Sequence, residues 1–283
     1  MVGISDQGAL SQLISIITNN RSGLGDAISR IASGSRLINA SADPAGLALA
    51  AKLKSEIAAL AQTVDNAETG VNFINAAEGG LSAVNDLVTR GRELALQAAN
   101  GTQSDSARQI LNVEFQQILS GIDQLSQSQE FNGQQILNGD LSPTAPTQVN
   151  IQVGAGTGPA NQISLNVIEA VDTATLGLAG LDISTSAGAQ AALAPLETAQ
   201  QTVLRTRTEV GTVANRLSTA ADNTRTTIEN LTGALDQIAA TDIAGEIAEL
   251  KGALARLEVS IRALNIQNRQ NENIVGRLLD IRT

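Results

Sequence analysis

Apolar residues recur at both ends of the chain in the 3-4-3-4 rhythm of a helix that packs along one face. Leu10, Leu13, Ile17, Asn20, Leu24, Ala27 and Ile31 carry it first. Gly34 then offers a helix C-cap, and residues 35–42 read as a linker. Asp43 and Pro44 supply an N-cap and a first-turn proline, a specific helix start. A second helix is predicted from Pro44 to about Asn100, with Leu53, Ile57, Leu60, Val64, Ala67, Val71, Ile74, Leu81 and Val88 on its stripe. At the α-helical rise it extends about 85 Å, long for a globular helix and ordinary for a coiled coil. Gly101 ends it. Thr102 and Asp105 make a start resembling a capping box, and a third helix carries Ala107, Leu111, Phe115, Ile118, Ile122 and Leu125.

The pattern changes from Phe131 to about Ala194, where Gly, Ser and Thr are frequent and Pro143, Pro146 and Pro159 fall. Val149, Ile151 and Val153 alternate with polar residues, and so do Ile163, Leu165 and Val167. Two alternating runs around a Gly-rich stretch read as a β-hairpin. Gly154 to Pro159 is then the hairpin tip rather than a phosphate-binding loop, which needs a helix to follow it.

Helix returns near Pro195. Leu196, Ala199, Val203, Val210, Val213, Leu217, Ala220, Ile228, Leu231, Leu235 and Ile238 hold the heptad, interrupted by Thr206, Thr224 and Thr227. Asp242 restarts a last helix with Ile243, Ile247, Leu250, Leu254, Leu257, Ile261, Leu264, Val275 and Leu278 on its stripe, and with Asn268 and Asn271 at seam positions. Long amphipathic helices cannot bury their stripes alone. The expected fold is all-α: a long antiparallel coiled-coil rod in which N-terminal and C-terminal segments pair, with a small β-hairpin in the middle. Three parts are expected. Residues 1–42 plus 242–283 form an inner terminal coiled coil, 43–140 plus 190–241 an outer helical part, and 141–189 a short variable insertion.

Composition narrows what such a chain does. Of 283 residues only three are aromatic, Phe73, Phe115 and Phe131. Small aliphatic residues suit thin helical seams better than a deep core. The chain carries 18 basic and 28 acidic residues, net −10. It shows no clustered basic face for nucleic acid, and its charge disfavours anionic membrane surfaces. Cys and His are absent, which excludes Ser-His-Asp and Cys-His nucleophiles, disulfides and the usual zinc and haem ligands. No catalytic, cofactor-binding or metal-binding residues are assigned. No apolar run approaches the roughly 20 residues of a membrane span. Met1 to Leu10 has neither the basic start nor the apolar stretch of a cleaved signal peptide. These absences leave a carboxylate-only site open, and the paired heptad helices point instead to a structural, self-assembling protein.

One stretch is more specific. Residues 30–50 read Arg-Ile-Ala-Ser-Gly-Ser-Arg-Leu-Ile-Asn-Ala-Ser-Ala-Asp-Pro-Ala-Gly-Leu-Ala-Leu-Ala. Through Ser33-Gly34, Asn39, Asp43 and Ala45-Gly46 this closely resembles the N-terminal signature of bacterial flagellins. Ala42-Asp43-Pro44 departs from the two acidic residues usual there. Arg90 to Asn100 is similar to the end of the first long flagellin helix, Phe131-Asn132-Gly133 to its turn, and Gln152 to Ala155 to the following hairpin strand. The resemblance covers both ends and most of the chain, with an unusually short middle.

The resemblance implies a subunit that polymerises into the hollow helical filament of the bacterial flagellum. It implies an extracellular protein secreted by the flagellar type III system without signal cleavage. Its partners would be copies of itself, an export chaperone, and junction and cap proteins. The polymerisation seam is expected at Leu10, Leu13, Ile17, Leu24, Ile31, Leu250, Leu254, Leu257, Ile261 and Leu264. Asn20, Asn268 and Asn271 are polar seam positions, read either as pore lining or register selection in the assembled inner tube or as a frayed, solvated end. Arg90, Leu94 and Glu114 match positions at which similar flagellins contact a host Toll-like receptor. Arg205, Arg207, Arg216 and Arg225 form either a solvated face or inter-subunit ion pairs. The nearest rival is a hook–filament junction protein. A rival of another class is an intracellular coiled-coil scaffold. A third, a filament-borne metallopeptidase, lacks the His needed for zinc.

Overall fold

The computed structural model describes residues 3–39 and 43–280. Five helices dominate: α1 (Gly3–Ser33), α2 (Pro44–Ala99), α3 (Asp105–Ser128), α4 (Ser186–Ala239) and α5 (Ile243–Asp280). Between α3 and α4 lie two antiparallel strand pairs. The first joins β1 (Glu130–Phe131) to β2 (Gln134–Gln135), and the second joins β3 (Asn150–Gln152) to β4 (Gln162–Ser164).

The helix boundaries follow local chemistry. Gly34 adopts φ +66°, the left-handed conformation that closes a helix without a Cβ clash. The Asp43 Oδ1 accepts a hydrogen bond from the Gly46 amide at 2.8 Å and caps α2 at Pro44. Asp242 does the same for α5, accepting from the Ala244 and Gly245 amides. At α3 the cap is Ser104, whose hydroxyl accepts from the Ala107 amide, rather than the expected Thr102. Helix α4 begins at Ser186, nine residues before the expected Pro195, which lies inside it. The Thr185 hydroxyl accepts from the Gly188 amide, and Ala189, Ala192, Leu196 and Ala199 on either side of Pro195 are buried in the core, so packing holds the helix across the proline.

The residues divide into two compact units, Met1–Ser55 with Leu231–Thr283 and Glu56–Asn230. In the terminal unit, α1 and α5 run antiparallel, with Arg30 beside Glu246 and Asn20 beside Ser260. Ala27, Leu37, Ala50 and Ala253 are its buried apolar residues among those described.

The central unit is thicker. Its α2 and α4 portions run antiparallel, tied by Gln200 to Thr89 and by Arg207 to Glu78. Helix α3 doubles back along α2, placing Arg90 against Glu114. A Cβ added to Gly91 would stand 3.3 Å from the Phe115 ring and 3.5 Å from Leu196, so this glycine lets three helices close on one another. Phe73 and Phe131 pack edge to face with ring centroids 5.4 Å apart.

Residues 131–185 do more than carry a hairpin. Ile136, Leu137, Leu141, Ile168, Leu178 and Ile183 are completely buried in the same core as Leu81 and Phe115. The expectation of thin seams and little beyond a hairpin in the middle therefore gives way to a continuous aliphatic core, in which an irregular segment covers the helices. Asn132 and Gly133, at φ 52° and 78°, make the tight turn between β1 and β2. The β3–β4 pair matches the alternation, with Ile151 opposite Ile163. At its tip Gln152 Nε2 donates to the carbonyls of Gly154 and Gly156, and Pro159–Asn161 forms one 3-10 turn.

Candidate assembly surface

The terminal unit has a seam and a second apolar face. On α1 the side chains turned toward α5 are Leu10, Leu13, Ile17, Asn20, Leu24, Ala27 and Ile31, partly or fully covered in a 3-4 repeat. On α5 the covered positions are Glu246, Leu250, Ala253, Leu257, Ser260 and Leu264, again a 4-3 repeat. Small residues at 253 and 260 let the helices approach, and Asn20 Nδ2 donates to the Ser260 Oγ at 3.4 Å.

Leu254 and Ile261, grouped by sequence with the seam, lie outside it. They are 48% and 44% exposed. Ile243 and Ile247 share their line, since positions 243, 247, 254 and 261 are separated by four, seven and seven residues. The physical reason is width. The apolar arc of α5 spans more than one helical ridge, and a single partner helix covers only one of them. Helix α1 likewise exposes Ile14 and Ile28, which share a face, and Ile16. Ile16, Asn20, Ala255, Arg256, Val259 and Ser260 line a shallow groove of about 400 Å³ along the pair. Asn268 is exposed, and the Asn271 side chain lies outside the described residues.

Sequence reasoning did not single out the polar tie at the base of this pair. Arg30 Nε and Nη2 donate to the two carboxylate oxygens of Glu246 at 2.6 and 2.9 Å, a bidentate ion pair, and Nη2 also reaches Glu249 at 3.4 Å. The Arg30 hydrogen bond holds the Glu246 carboxyl below the ordinary glutamate value. Partial desolvation opposes it, and Thr241 adds a smaller hydrogen bond. The only sequence signal is a basic residue in the last turn of one helix and an acidic one in the first turn of another, which favours each helix end separately.

In the central unit, Arg90, Leu94 and Glu114 do not form one exposed triad. Arg90 and Glu114 form a surface ion pair at 2.6 Å, with Glu93 on the same guanidinium. Leu94 is 1% exposed and belongs to the core, because it points between α2 and its neighbours. The exposed apolar residues nearby are Leu96, Ile110 and Val113. Along α4, Arg205 pairs with Glu169, Arg207 with Glu78, and Arg225 with Glu68 and Asp222, all within the chain. Thr206, which breaks the heptad, is buried and donates to the Thr202 carbonyl.

Residues 4–141 match the family model of the bacterial flagellin N-terminal helical region, and residues 189–279 that of the bacterial flagellin C-terminal helical region. The flagellar filament 30.7 kDa core protein of Treponema maltophilum is 31% identical over 258 residues, covering 89% of this chain and 90% of that protein. A flagellin of Halalkalibacterium halodurans is 31% identical over 254 residues, with 89% and 90% covered. Among solved structures, a flagellar hook-associated protein from Vibrio parahaemolyticus aligns with a TM-score of 0.56 at 18% identity, covering 70% of this chain and all of that one. That likeness shows the helical fold.

Proposed function

The chain belongs to the bacterial flagellin family, and from that membership we propose that the exposed apolar line of α5 is where one subunit receives the next. The protein is a structural subunit of the flagellar filament and not an enzyme, and the relatives favour that reading over a junction protein. The observation that carries the proposal is the pair of ridges on α5: Leu250, Leu257 and Leu264 face α1, while Leu254 and Ile261 are left to water. A soluble monomer gains nothing from Ile243, Ile247, Leu254 and Ile261 on one line. A polymer buries them, at about 25 cal/mol per Å² of apolar surface.

The ten seam residues thus serve two tasks. Leu10, Leu13, Ile17, Leu24, Ile31, Leu250, Leu257 and Leu264 pair the helices within a subunit, and Leu254 and Ile261 join subunits. Ile261→Asp should leave the monomer's circular dichroism unchanged and abolish filaments in electron micrographs. Leu257→Asp should lower helix content in the monomer itself. Normal filaments from Ile261→Asp would overturn the proposal.

The remaining expectations follow from family membership. The subunit leaves the cell through flagellar type III export, without signal cleavage, and meets an export chaperone, junction proteins and a cap. No helix among the described residues is long and apolar enough to cross a membrane. Loss of the extracellular protein in an export-deficient strain tests this route. Recognition by a Toll-like receptor is supported by the exposed Arg90–Glu114 pair and draws no support from buried Leu94. Monomer that leaves receptor-reporter cells silent would end that reading.

A further inference from the structure

We propose that Asn100 is a self-modifying residue, whose side-chain amide is lost to attack by the Gly101 backbone nitrogen and replaced by a carboxylate through a cyclic imide. The sequence holds three Asn-Gly pairs, at 100–101, 132–133 and 138–139. Two of the glycines are required by the backbone, since Gly133 sits at φ 78° and Gly139 at φ 98°, in the left-handed region. Gly101 has no such need. Its φ is not left-handed, and a Cβ built on it meets nothing within 4 Å. Neither turn geometry nor space explains a glycine there. Its missing side chain leaves an unhindered amide nitrogen next to the Asn100 side chain, in the exposed turn between α2 and α3.

The groups around Asn100 fit this chemistry. Asn100 Oδ1 accepts hydrogen bonds from the Thr102 amide and the Thr102 hydroxyl, both at 3.1 Å. These donors polarise Cγ and stand where negative charge gathers when Cγ becomes tetrahedral. The Asn100 backbone carbonyl belongs to the same peptide group as the Gly101 nitrogen. It accepts from Arg108 Nη1 at 3.0 Å and from the Gln103 amide at 3.1 Å. Arg108 is buried and also donates to the Ala98 carbonyl, so its guanidinium is held in place. A cation on that carbonyl favours the deprotonated peptide, which is the nucleophile. Hydroxide removes the Gly101 amide proton, the nitrogen bonds to Asn100 Cγ, and Nδ2 leaves as ammonia with a proton from water. Water then opens the ring at either carbonyl, leaving an aspartyl or an isoaspartyl residue at position 100. Among the described residues Asn100 Nδ2 has no partner to hold it back. At Asn138 the same nitrogen is pinned by Gln135 Oε1 and Asp140 Oδ2, both at 2.7 Å. At Asn132, fixed at φ 52° in its tight turn, no donor polarises the side-chain carbonyl. The new carboxylate lies at the C-terminal end of α2, where the helix dipole disfavours it, and the isoaspartyl form adds a methylene to the backbone of the turn.

The test follows the full-length chain by peptide mapping and mass spectrometry during incubation in mildly alkaline buffer, both folded and in guanidinium chloride. In denaturant the three pairs should react at similar rates, since each is then a flexible Asn-Gly. In the folded chain Asn100 should react faster than in denaturant, and Asn132 and Asn138 slower. An isoaspartyl methyltransferase should label the tryptic peptide that spans residues 93–108 of the aged protein. Thr102→Val keeps the amide donor and removes the hydroxyl. It should slow the loss at Asn100 about tenfold, less than the roughly hundredfold that one oxyanion donor contributes in a dry site. Gly101→Ala, for which there is room, should slow it as well and leave the circular dichroism as in the parent. The proposal is overturned if Asn100 reacts no faster folded than denatured. It is equally overturned if Asn132 or Asn138 leads in the folded chain, or if Thr102→Val reacts at the parent rate.

Discussion

The central unit covers Phe115, Leu81, Ile122 and Leu178 completely, whereas the buried apolar residues described in the terminal unit are Ala27, Leu37, Ala50 and Ala253. Both units draw mainly on aliphatic residues, with all three aromatic residues, Phe73, Phe115 and Phe131, in the central one. The difference lies in layers. In the central unit α2, α3, α4 and the irregular segment 131–185 surround one another, so each helix has neighbours on more than one side. In the terminal unit α1 faces α5, and among the described residues Ile14, Ile16, Ile28, Ile243, Ile247, Leu254 and Ile261 of these helices meet water. A helix covered on one side exposes its second ridge whatever its sequence. One unit covers its large apolar side chains within the single chain, and the other leaves a line of them exposed, as the proposed docking of a second subunit requires.

The largest test of this contrast is Phe115→Ala. Removing a fully buried ring should cost about 3–5 kcal/mol in denaturant unfolding of the central unit. Next, Leu178→Ala in the irregular segment should cost about 2–5 kcal/mol, as much as Leu81→Ala on α2. If Leu178 proved nearly neutral, segment 131–185 would be a dispensable cover. Leu13→Ala on the half-covered seam should cost less, below about 1.5 kcal/mol, read as monomer helix content. Gly91→Ala gains about 1 kcal/mol of helix propensity, but it pushes a methyl against the buried Phe115 ring at a cost of about 1–3 kcal/mol, for a small net loss in melting temperature.

The smallest effect is a pH dependence confined to the terminal unit. The Glu246 carboxyl is depressed by Arg30, within a setting that includes Asp26, Asp242 and Glu249. A depressed carboxylate adds stability above its unfolded value, and that stability is lost as pH falls through the lower, folded value. Exchange protection of α1 and α5 should therefore weaken on acidification below the ordinary glutamate range. Glu246→Gln should remove that dependence.

Much of the terminal unit was legible without coordinates. The repeat from Leu10 to Ile31, the Gly34 stop, the Asp43-Pro44 start and the Asp242 cap each depend on residues within a turn or two, so local pattern specifies them. The alternation around Ile151 and Ile163 marked the hairpin for the same reason. Family membership was also legible, because the stretch from Arg30 to Ala50 and its companions are written in consecutive residues.

Tertiary structure alone decided the rest. It buried Leu94 and exposed Leu254 and Ile261, since an apolar arc does not say which of its ridges a neighbour will cover. It drew the aperiodic residues 136–183 into the core and kept Pro195 inside a helix, through packing between segments far apart in the chain. It joined Arg30 to Glu246 across 216 positions, a match of charge and geometry that no local repeat encodes.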